Sequence, residues 1–247
     1  MHSIIYIQNA WHLGDNIINF IFFYNIKDYI ETNNIIIHYY CYSKYHTNLL
    51  EFNCSNNIKI FDYENKGYIL WQGGETPYMS FIEDHLCNMF NIFLRKYNMP
   101  NSVDLFEYSD LDLFTRYNNL DDKYKNIDIL IINSTPLSGQ YNYNKSEWDM
   151  FIIKLSTRYS VAVSEKVNDT ILSLDNMSVK NIASIALKTK IIIAINTGPS
   201  IPLYNTHILN NVDVIYLFGD GGHSYKTRKI KCTGCTGNIN ELMYLLY

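Results

Sequence analysis

Residues 9–23 read NAWHLGDNIINFIFF, and the change of pattern around WHLGDN (residues 11–16) decides the fold of the N-terminal half. The strand-forming residues of MHSIIYIQN precede this polar turn, and an apolar helical segment follows it. Gly14 allows a tight turn and a close approach of the backbone to a ligand. The stretch therefore predicts a strand–turn–helix unit, as found in α/β folds.

Two interpretations of the polar residues in this turn stay open. Asp15 lies near the start of the helix, where a carboxylate caps free N–H groups. The same carboxylate, held at a loop end, is also suited to act as a general base. His12 is a surface residue, a substrate hydrogen-bonding group or a neighbour that tunes Asp15.

The composition favours a folded α/β protein over a disordered or nucleic-acid-binding one. Of the 247 residues, 47% are hydrophobic and 18% are charged, so a sizeable core can form. The net charge is −4 and no basic stripe is present, which excludes nucleic acid as an expected partner. We recognise no signal peptide or transmembrane segment, and five cysteines without a disulfide pattern indicate a reducing compartment. We therefore expect a cytoplasmic protein.

Strands and helices alternate along the chain, with one interruption. The polar, acidic stretch 101–125 separates two series of strand–helix units, so we predict an N-terminal domain over 1–120 and a C-terminal domain over 121–247. Such alternation implies parallel sheets with right-handed crossovers. The predicted fold class is α/β, with two Rossmann-like, doubly wound domains. Ligands then bind in the turns that follow the strands.

Two turns of the C-terminal half carry residues suited to phosphate. INSTPLSGQ (residues 132–140) follows a buried strand and offers Ser134, Thr135, Ser138 and Gly139, although an ordinary turn is the simpler interpretation.

The second of these turns follows the strand IIIAIN. Its residues Asn196, Thr197, Gly198, Pro199 and Ser200 predict a helix start, with Pro199 in the first helical turn and hydroxyls beside free N–H groups. A helix N-terminus of this kind suits a diphosphate, although many α/β proteins have a capped helix here.

The three turns in this order resemble glycosyltransferase family nine, the heptosyltransferase-type enzymes. The junction HLGDN (residues 12–16) looks like the Gly-Asp turn that opens the family, and residues 178–220 look like its closing segment. The resemblance implies the GT-B arrangement, in which an N-terminal acceptor domain and a C-terminal nucleotide-sugar domain face each other across a cleft.

The resemblance also implies roles for the residues of the turns. Asp15, with His12 beside it, takes the position of the general base. Thr197, Gly198 and Ser200 take the position of the diphosphate site, and Ser134 and Thr135 that of a second phosphate-facing loop. The implied reaction is inverting transfer from a nucleotide-sugar to a hydroxyl of a glycan, a lipid-linked glycan or a protein. We expect no cofactor and no metal ion.

Two alternatives to the enzyme remain. The first is a catalytically inactive nucleotide- or sugar-binding protein of the same fold. It is favoured by Asn196, where the family commonly has Asp, and by Ile201 or Pro202, where the family usually has His. The second is an epimerase, which converts the donor without an acceptor.

Three further features are interpreted as structural before any function is assigned to them. LWQGGETPY (residues 70–78) offers Trp71 as a sugar-stacking residue and Glu75 as a reserve base. Residues 219–223, GDGGH, are a turn that can also touch the donor. Cys232 and Cys235 form a lone Cys-x-x-Cys, interpreted as a reduced structural pair.

Overall fold

The computed structural model describes residues 3–70, 79–99, 121–219 and 224–246. The chain divides into two compact units, Met1–Leu113 and Phe114–Tyr247. The boundary predicted between residues 120 and 121 stays a prediction, because residues 100–120 lie outside the described ranges.

The first unit begins with the predicted strand–turn–helix and continues as an α/β fold. Its strands are β1 (Ser3–Asn9), β2 (Ile35–Cys41), β3 (Ile58–Asp62) and β4 (Tyr68–Ile69). Its helices are α1 (Leu13–Asn25), α2 (Lys27–Thr32), α3 (His46–Phe52) and α4 (Ile82–Lys96), with a 3₁₀ turn at Ser43–Tyr45.

The sheet of the first unit is parallel, with strand order β3-β2-β1-β4. The chain runs outward from β1 to β3 on one side, and β4 then pairs with β1 on the other side. The direction of the crossovers therefore reverses between β1 and β4. Open α/β sheets bind ligands beyond the carboxyl ends of the strands at such a switch point.

Aromatic side chains pack the helices of the first unit against one another. The Phe22 ring of α1 stacks on the Phe90 ring of α4 with centroids 4.1 Å apart and meets Phe93 edge to face at 5.5 Å. All three side chains are fully buried. Such pairs contribute more than their buried area alone, so this contact fixes α1, and with it the turn that precedes α1.

The second unit repeats the alternation over more strands. Its strands are β5 (Ile129–Ile132), β6 (Val161–Val163), β7 (Leu172–Ser173), β8 (Ile191–Ile195), β9 (Val214–Phe218) and β10 (Ile230–Cys232). Its helices are α5 (Lys145–Leu155), α6 (Val179–Ala186), α7 (Thr206–Asn211) and α8 (Met243–Leu246), with 3₁₀ segments at Asp122–Tyr124, Gly198–Tyr204 and Ile239–Leu242.

All neighbouring strands of the second sheet are parallel, in the order β10-β9-β8-β5-β6-β7. This is the strand order of a complete Rossmann domain, with its switch point between β5 and β8. The core strands are consecutive apolar residues, as sheets covered on both faces require. Trp148 of α5, which is 1% exposed, packs edge to face against Phe218 of β9 at 5.2 Å.

The sequence pattern predicts strands over residues 3–8, 35–41, 58–63, 127–132, 160–167, 190–196 and 212–218, and helices over 78–97, 146–159, 178–188 and 238–246. Most of these elements are confirmed with shifts of a few residues at their ends, and three details differ. The strand predicted over 160–167 ends at Val163, because the buried Asn133 side chain binds the backbone of Glu165 and turns the chain. The strands β7 and β10 are too short to show a period in the sequence. The closing helix starts as a 3₁₀ segment at Ile239.

Replacing Phe22 by Ala should destabilise the first unit by about 3–5 kcal/mol, because it empties a fully buried aromatic site. The measurement is urea unfolding followed by near-ultraviolet circular dichroism. Leu50→Ala on α3 is the control, since Leu50 is 60% exposed and its loss should cost less than about 0.5 kcal/mol. Equal effects of the two substitutions would contradict the packing described above.

Candidate functional site

The three predicted turns start from the strands that flank the two switch points. The turn with Asp15 follows β1, the turn with Ser134 follows β5, and the turn with Thr197 follows β8. In the first unit, the residues after β4 lie outside the described ranges. In the second unit, β5 and β8 are hydrogen-bonded neighbours, so their two turns lie side by side at one edge of the sheet.

Asp15 is the third residue of α1, and it caps the helix from within. Its Oδ2 accepts a hydrogen bond from the N–H of His12, the N-cap residue, at 3.1 Å. The side chain is half-buried, and within the described part of the chain no other residue donates a hydrogen bond to Oδ1. The carboxylate is therefore held by one oxygen, and the other can meet a ligand.

Gly14 does not make the turn as expected. It is the second residue of α1, and its φ angle is not positive. The chain therefore reverses over residues 10–12, before the helix begins. Its position beside Asp15 still leaves the start of the helix without a side chain at that point.

Burial raises the pKa of Asp15 above its ordinary value. The hydrogen bond from the His12 backbone and the charge of His12 act in the opposite direction and are smaller effects. A carboxylate with a raised pKa accepts a proton more readily than an exposed one, which is the property a general base needs. His12 therefore stands where it can tune Asp15, one of the roles left open for it.

Trp11 is a residue of this turn that the sequence did not single out. Its side chain is 54% exposed, and its backbone N–H is held by Asn9 Oδ1 at 2.9 Å. An exposed indole on a fixed backbone, four residues before Asp15, is a flat apolar surface at the carboxyl edge of the sheet.

A buried amide joins the ends of β5 and β6. Asn133 is fully buried, and its side chain binds both the N–H and the carbonyl of Glu165, at 2.9 Å each. Its own N–H donates to Ser164 Oγ, which also lies 3.1 Å from Ser134 Oγ. The Ser134 hydroxyl is thus tied to the sheet edge and half-exposed there.

Glu165 is a second residue that the sequence did not single out. Its Oε1 accepts a hydrogen bond from the N–H of Thr135 at 3.3 Å, so it bridges the turns that follow β5 and β6. Acidic side chains at the end of the second strand of a Rossmann domain bind ribose hydroxyls. In the sequence, the position of Glu165 just after a short buried strand points to a candidate binding role. Only the strand order of the structure shows that this strand is the second one of the domain.

The other residues predicted in this loop are exposed. Thr135, Ser138 and Gly139 face solvent, and Gly139 has a φ of 68°. Ser138 N–H donates to Gln140 Oε1 at 3.0 Å, and Gln140 Nε2 in turn donates to the carbonyl of Asn196 at 2.8 Å. Gln140 therefore links the turn after β5 to the turn after β8.

The helix predicted after β8 is present, and it is a 3₁₀ helix over Gly198–Tyr204. Thr197 is its N-cap, Gly198 its first residue and Pro199 its second, as expected for a proline that has no N–H to donate. The N–H of Gly198 donates to no acceptor within the described part of the chain. It is the donor that this turn offers to an anion.

Ser200 has a different place from the one predicted. It is fully buried, and its Oγ donates to the Thr197 carbonyl at 2.8 Å while accepting from Thr197 N–H and from the Tyr204 hydroxyl. A hydroxyl has one proton and two lone pairs, so all its hydrogen-bonding capacity is used. Ser200 shapes the turn, whereas the half-exposed Asn196, Thr197, Gly198 and Pro199 form its surface.

A glycine after β9 adds a third segment to this edge. Gly219 has a φ of 80°, and a Cβ there would meet the Gln140 carbonyl oxygen at 2.7 Å. The close approach keeps the end of β9 against the turn after β5. Residues 220–223 of the same predicted turn lie outside the described ranges, as do Trp71 and Glu75.

The remaining cysteine and membrane predictions can be checked against the described residues. Cys232 and Cys235 are exposed, and none of the five cysteines forms a disulfide. Within the described ranges, no helix combines the length and hydrophobicity needed to cross a bilayer.

Replacing Ser200 by Ala should destabilise the second unit by about 1–3 kcal/mol, because it leaves buried polar partners unsatisfied. Thermal and urea unfolding will measure the loss. The control is Ser156→Ala on the exposed end of α5, where the Ser156 hydroxyl donates to the Ile153 carbonyl. A loss for Ser200→Ala no larger than for the control would show that the hydroxyl does not hold the turn.

No protein-family model and no curated protein matches the sequence. Solved structures do match. The chain is similar to E. coli heptosyltransferase WaaC with ADP-2-deoxy-2-fluoro heptose, with a TM-score of 0.58 and 9% identity over 93% of this chain and 92% of that one.

Two further structures resemble the chain. E. coli WaaC with ADP gives a TM-score of 0.55 and 10% identity over 88% of this chain and 86% of that one. The iron-containing dodecameric glycosyltransferase TibC from enterotoxigenic E. coli gives 0.52 and 11% over 93% of this chain, which spans 62% of TibC. With the two parallel-sheet units, these likenesses confirm the prediction of a Rossmann-like GT-B fold: the chain has a heptosyltransferase-like fold.

Proposed function

We propose that the protein is a glycosyltransferase that moves a sugar from a nucleotide-sugar to an acceptor hydroxyl. One observation carries the proposal. Asp15 is a half-buried carboxylate with a raised pKa, held by one oxygen at the carboxyl edge of a switch point, in a fold shared with heptosyltransferases.

The proposed reaction is a single displacement with inversion at the anomeric carbon. Asp15 takes the proton of the acceptor hydroxyl as that oxygen forms a bond to the anomeric carbon. The bond from this carbon to the diphosphate oxygen breaks at the same time, and the nucleoside diphosphate leaves with the electron pair. His12, whose N–H fixes Asp15 Oδ2, positions the base and tunes its basicity.

The donor site is proposed at the switch point of the second unit. The N–H of Gly198, which has no acceptor among the described residues, offers a donor to phosphate oxygens. Ser134, whose hydroxyl donates to Ser164 Oγ, and the exposed loop with Thr135, Ser138 and Gly139 lie in the neighbouring turn. Asn196, Thr197 and Pro199 form the surface of the turn, and Ser200 holds its shape. Two of the similar WaaC structures are those with ADP and with ADP-2-deoxy-2-fluoro heptose, which supports a nucleoside diphosphate here.

Glu165 is proposed to bind the ribose of the donor. Its Oε1 already holds Thr135 N–H, which fixes the carboxylate beside the loop that follows β5. The other oxygen can accept from the ribose hydroxyls, as acidic residues do at this position of Rossmann domains.

The acceptor is proposed to be a glycan, a lipid-linked glycan or a protein hydroxyl. Trp11 supports a sugar acceptor, because its exposed indole can stack on the apolar face of a sugar ring. We propose a reaction without a metal ion, with the charge of the leaving group met by the turns described above. The sequence contains one Asp-x-Asp, Asp110-Leu111-Asp112, outside the described residues, so tests of this point include magnesium.

The first test is donor binding, measured by thermal shift with ADP, UDP, GDP, CMP and their sugar conjugates, each with and without magnesium. A ligand that binds only the folded state raises the melting temperature. We expect one nucleoside diphosphate to do so without magnesium.

Glu165→Gln should weaken this binding by about 10- to 100-fold, because the variant loses the charge that strengthens the hydrogen bond to the ribose. Glu147→Gln, on the exposed first turn of α5, is the matched control and should bind as the wild type does. Wild-type binding by Glu165→Gln would remove the ribose assignment, and no shift with any nucleotide would remove the donor site.

The second test is catalysis by Asp15→Asn, measured as nucleoside diphosphate release from the donor found above, with and without a glycan mixture. The rate constant should fall by about 10²- to 10⁴-fold, while donor affinity is unchanged. Asp28→Asn, in the first turn of α2, is the control and should retain activity.

Because the base works ionised and its pKa is raised, wild-type activity should fall as the pH drops through that raised pKa.

Stability provides a check on the same variant. Because the pKa of Asp15 is raised in the folded state, its ionisation costs more in the folded protein than in the unfolded chain. The free energy of unfolding therefore falls as the pH rises from the unfolded-state pKa through the folded-state pKa. Asp15→Asn should therefore be no less stable than the wild type at neutral pH. Full activity in Asp15→Asn would rule out the role of Asp15 as the base. In the wild type, donor binding without turnover would favour the inactive binding protein. Conversion of the donor by the wild type without an acceptor would favour an epimerase.

A further inference from the structure

A cluster of buried polar side chains lies behind the turn that carries Asp15. It consists of Asn9 at the end of β1, Asn16 and Asn19 on α1, and Tyr39 on β2. All four are between 0 and 1% exposed. Polar groups at such depth are costly unless they are hydrogen-bonded, so their contacts indicate what they are for.

The Tyr39 hydroxyl is the centre of this cluster. It donates to Asn16 Oδ1 at 2.8 Å and accepts from Asn19 Nδ2 at 2.9 Å. Burial raises the pKa of Tyr39 well above its ordinary value, so the hydroxyl keeps its proton and acts as the donor to Asn16. The orientation of the Asn16 amide is thereby fixed, with its oxygen on Tyr39 and its nitrogen pointing away from it.

The nitrogen of Asn16 reaches the turn itself. Nδ2 donates to the carbonyl of His12 at 2.8 Å, and the backbone N–H of Asn16 donates to the same carbonyl at 3.2 Å. The N–H of His12, on the other side of that residue, holds Asp15 Oδ2 at 3.1 Å. A continuous series of hydrogen bonds thus runs from Asn19 through Tyr39, Asn16 and the backbone of His12 to the carboxylate.

Packing alone does not explain these polar groups. The Tyr39 ring already packs edge to face against Phe20 and Phe23, with centroids at 5.1 and 5.6 Å, and a phenylalanine ring would make the same contacts. The cluster even leaves Asn19 Oδ1 buried without a partner among the described residues. The hydroxyl therefore serves the orientation of Asn16 and not the filling of the core.

We propose that Tyr39 is a positioning residue for Asp15, acting through Asn16 and the backbone of His12. The inference rests on the proposed function of Asp15 as the base, because a positioned carboxylate matters most where it takes a proton. Positioning keeps Asp15 half-buried and its reactive oxygen in one place, which effective proton transfer requires.

The test compares the wild type with Tyr39→Phe, which keeps the ring and removes only the hydroxyl. Carbon-detected NMR titration of the aspartate carboxyls, assigned with Asp15→Asn, gives the pKa of Asp15 without any ligand. Burial is the largest cause of its raised pKa, so release of the turn should return the pKa toward the ordinary value. His12 is the neighbour whose charge also acts on the pKa of Asp15.

Tyr159→Phe is the matched control, since it removes a tyrosine hydroxyl of the second unit, which donates to the backbone carbonyl of Leu246. Its Asp15 pKa should equal that of the wild type. Asn16→Ala is the second variant, which cuts the series at another point and should lower the pKa in the same direction, including where Tyr39→Phe does not fold. An Asp15 pKa unchanged in the folded variants would overturn the proposal.

Kinetics provide an independent readout with the donor found by thermal shift. Tyr39→Phe should lower kcat by about tenfold with an unchanged donor KM, and an unchanged kcat would overturn the proposal. A wild-type protein that transfers no sugar would remove the proposed function instead, and the comparison of the carboxyl pKa values would then still decide whether Tyr39 positions Asp15.

Discussion

Parallel pairing puts the carboxyl end of every strand at one edge of its sheet, and the rest of the structure depends on this constraint. The crossovers reverse direction between β1 and β4 in the first unit and between β5 and β8 in the second. At these points the connecting segments diverge, and the groups that follow the strands face open space instead of a crossover. The turns with Asp15, Ser134 and Thr197 all begin there, although they lie far apart in the sequence.

Side-chain amides give these turns their shape. Asn133 joins the ends of β5 and β6, Gln140 joins the turns after β5 and β8, and Asn16 fixes the backbone before Asp15. Each of these side chains bonds backbone groups where regular structure ends. The apolar core positions the strands and helices, and this set of polar contacts determines the conformation between them.

The sequence predicts much of the fold because long apolar strands and amphipathic helices have clear periods. It identified β2 at its observed bounds and located the turns after β1, β5 and β8. It does not reveal strand order, and without that order Glu165 is one acidic loop residue among many. It also does not separate a hydroxyl that faces a ligand from one that is fully used inside a turn, as Ser200 shows.

The saturated hydroxyl of Ser200 has a consequence for how such a protein changes over evolution. A turn whose side chains bond its own backbone presents main-chain groups to its surroundings, and the main chain is nearly the same whatever the sequence. Substitutions are then tolerated at most positions, provided that the backbone keeps its path. The chain shares its fold with WaaC at only 9–10% identity, and geometry carried by the backbone can persist through divergence of that extent.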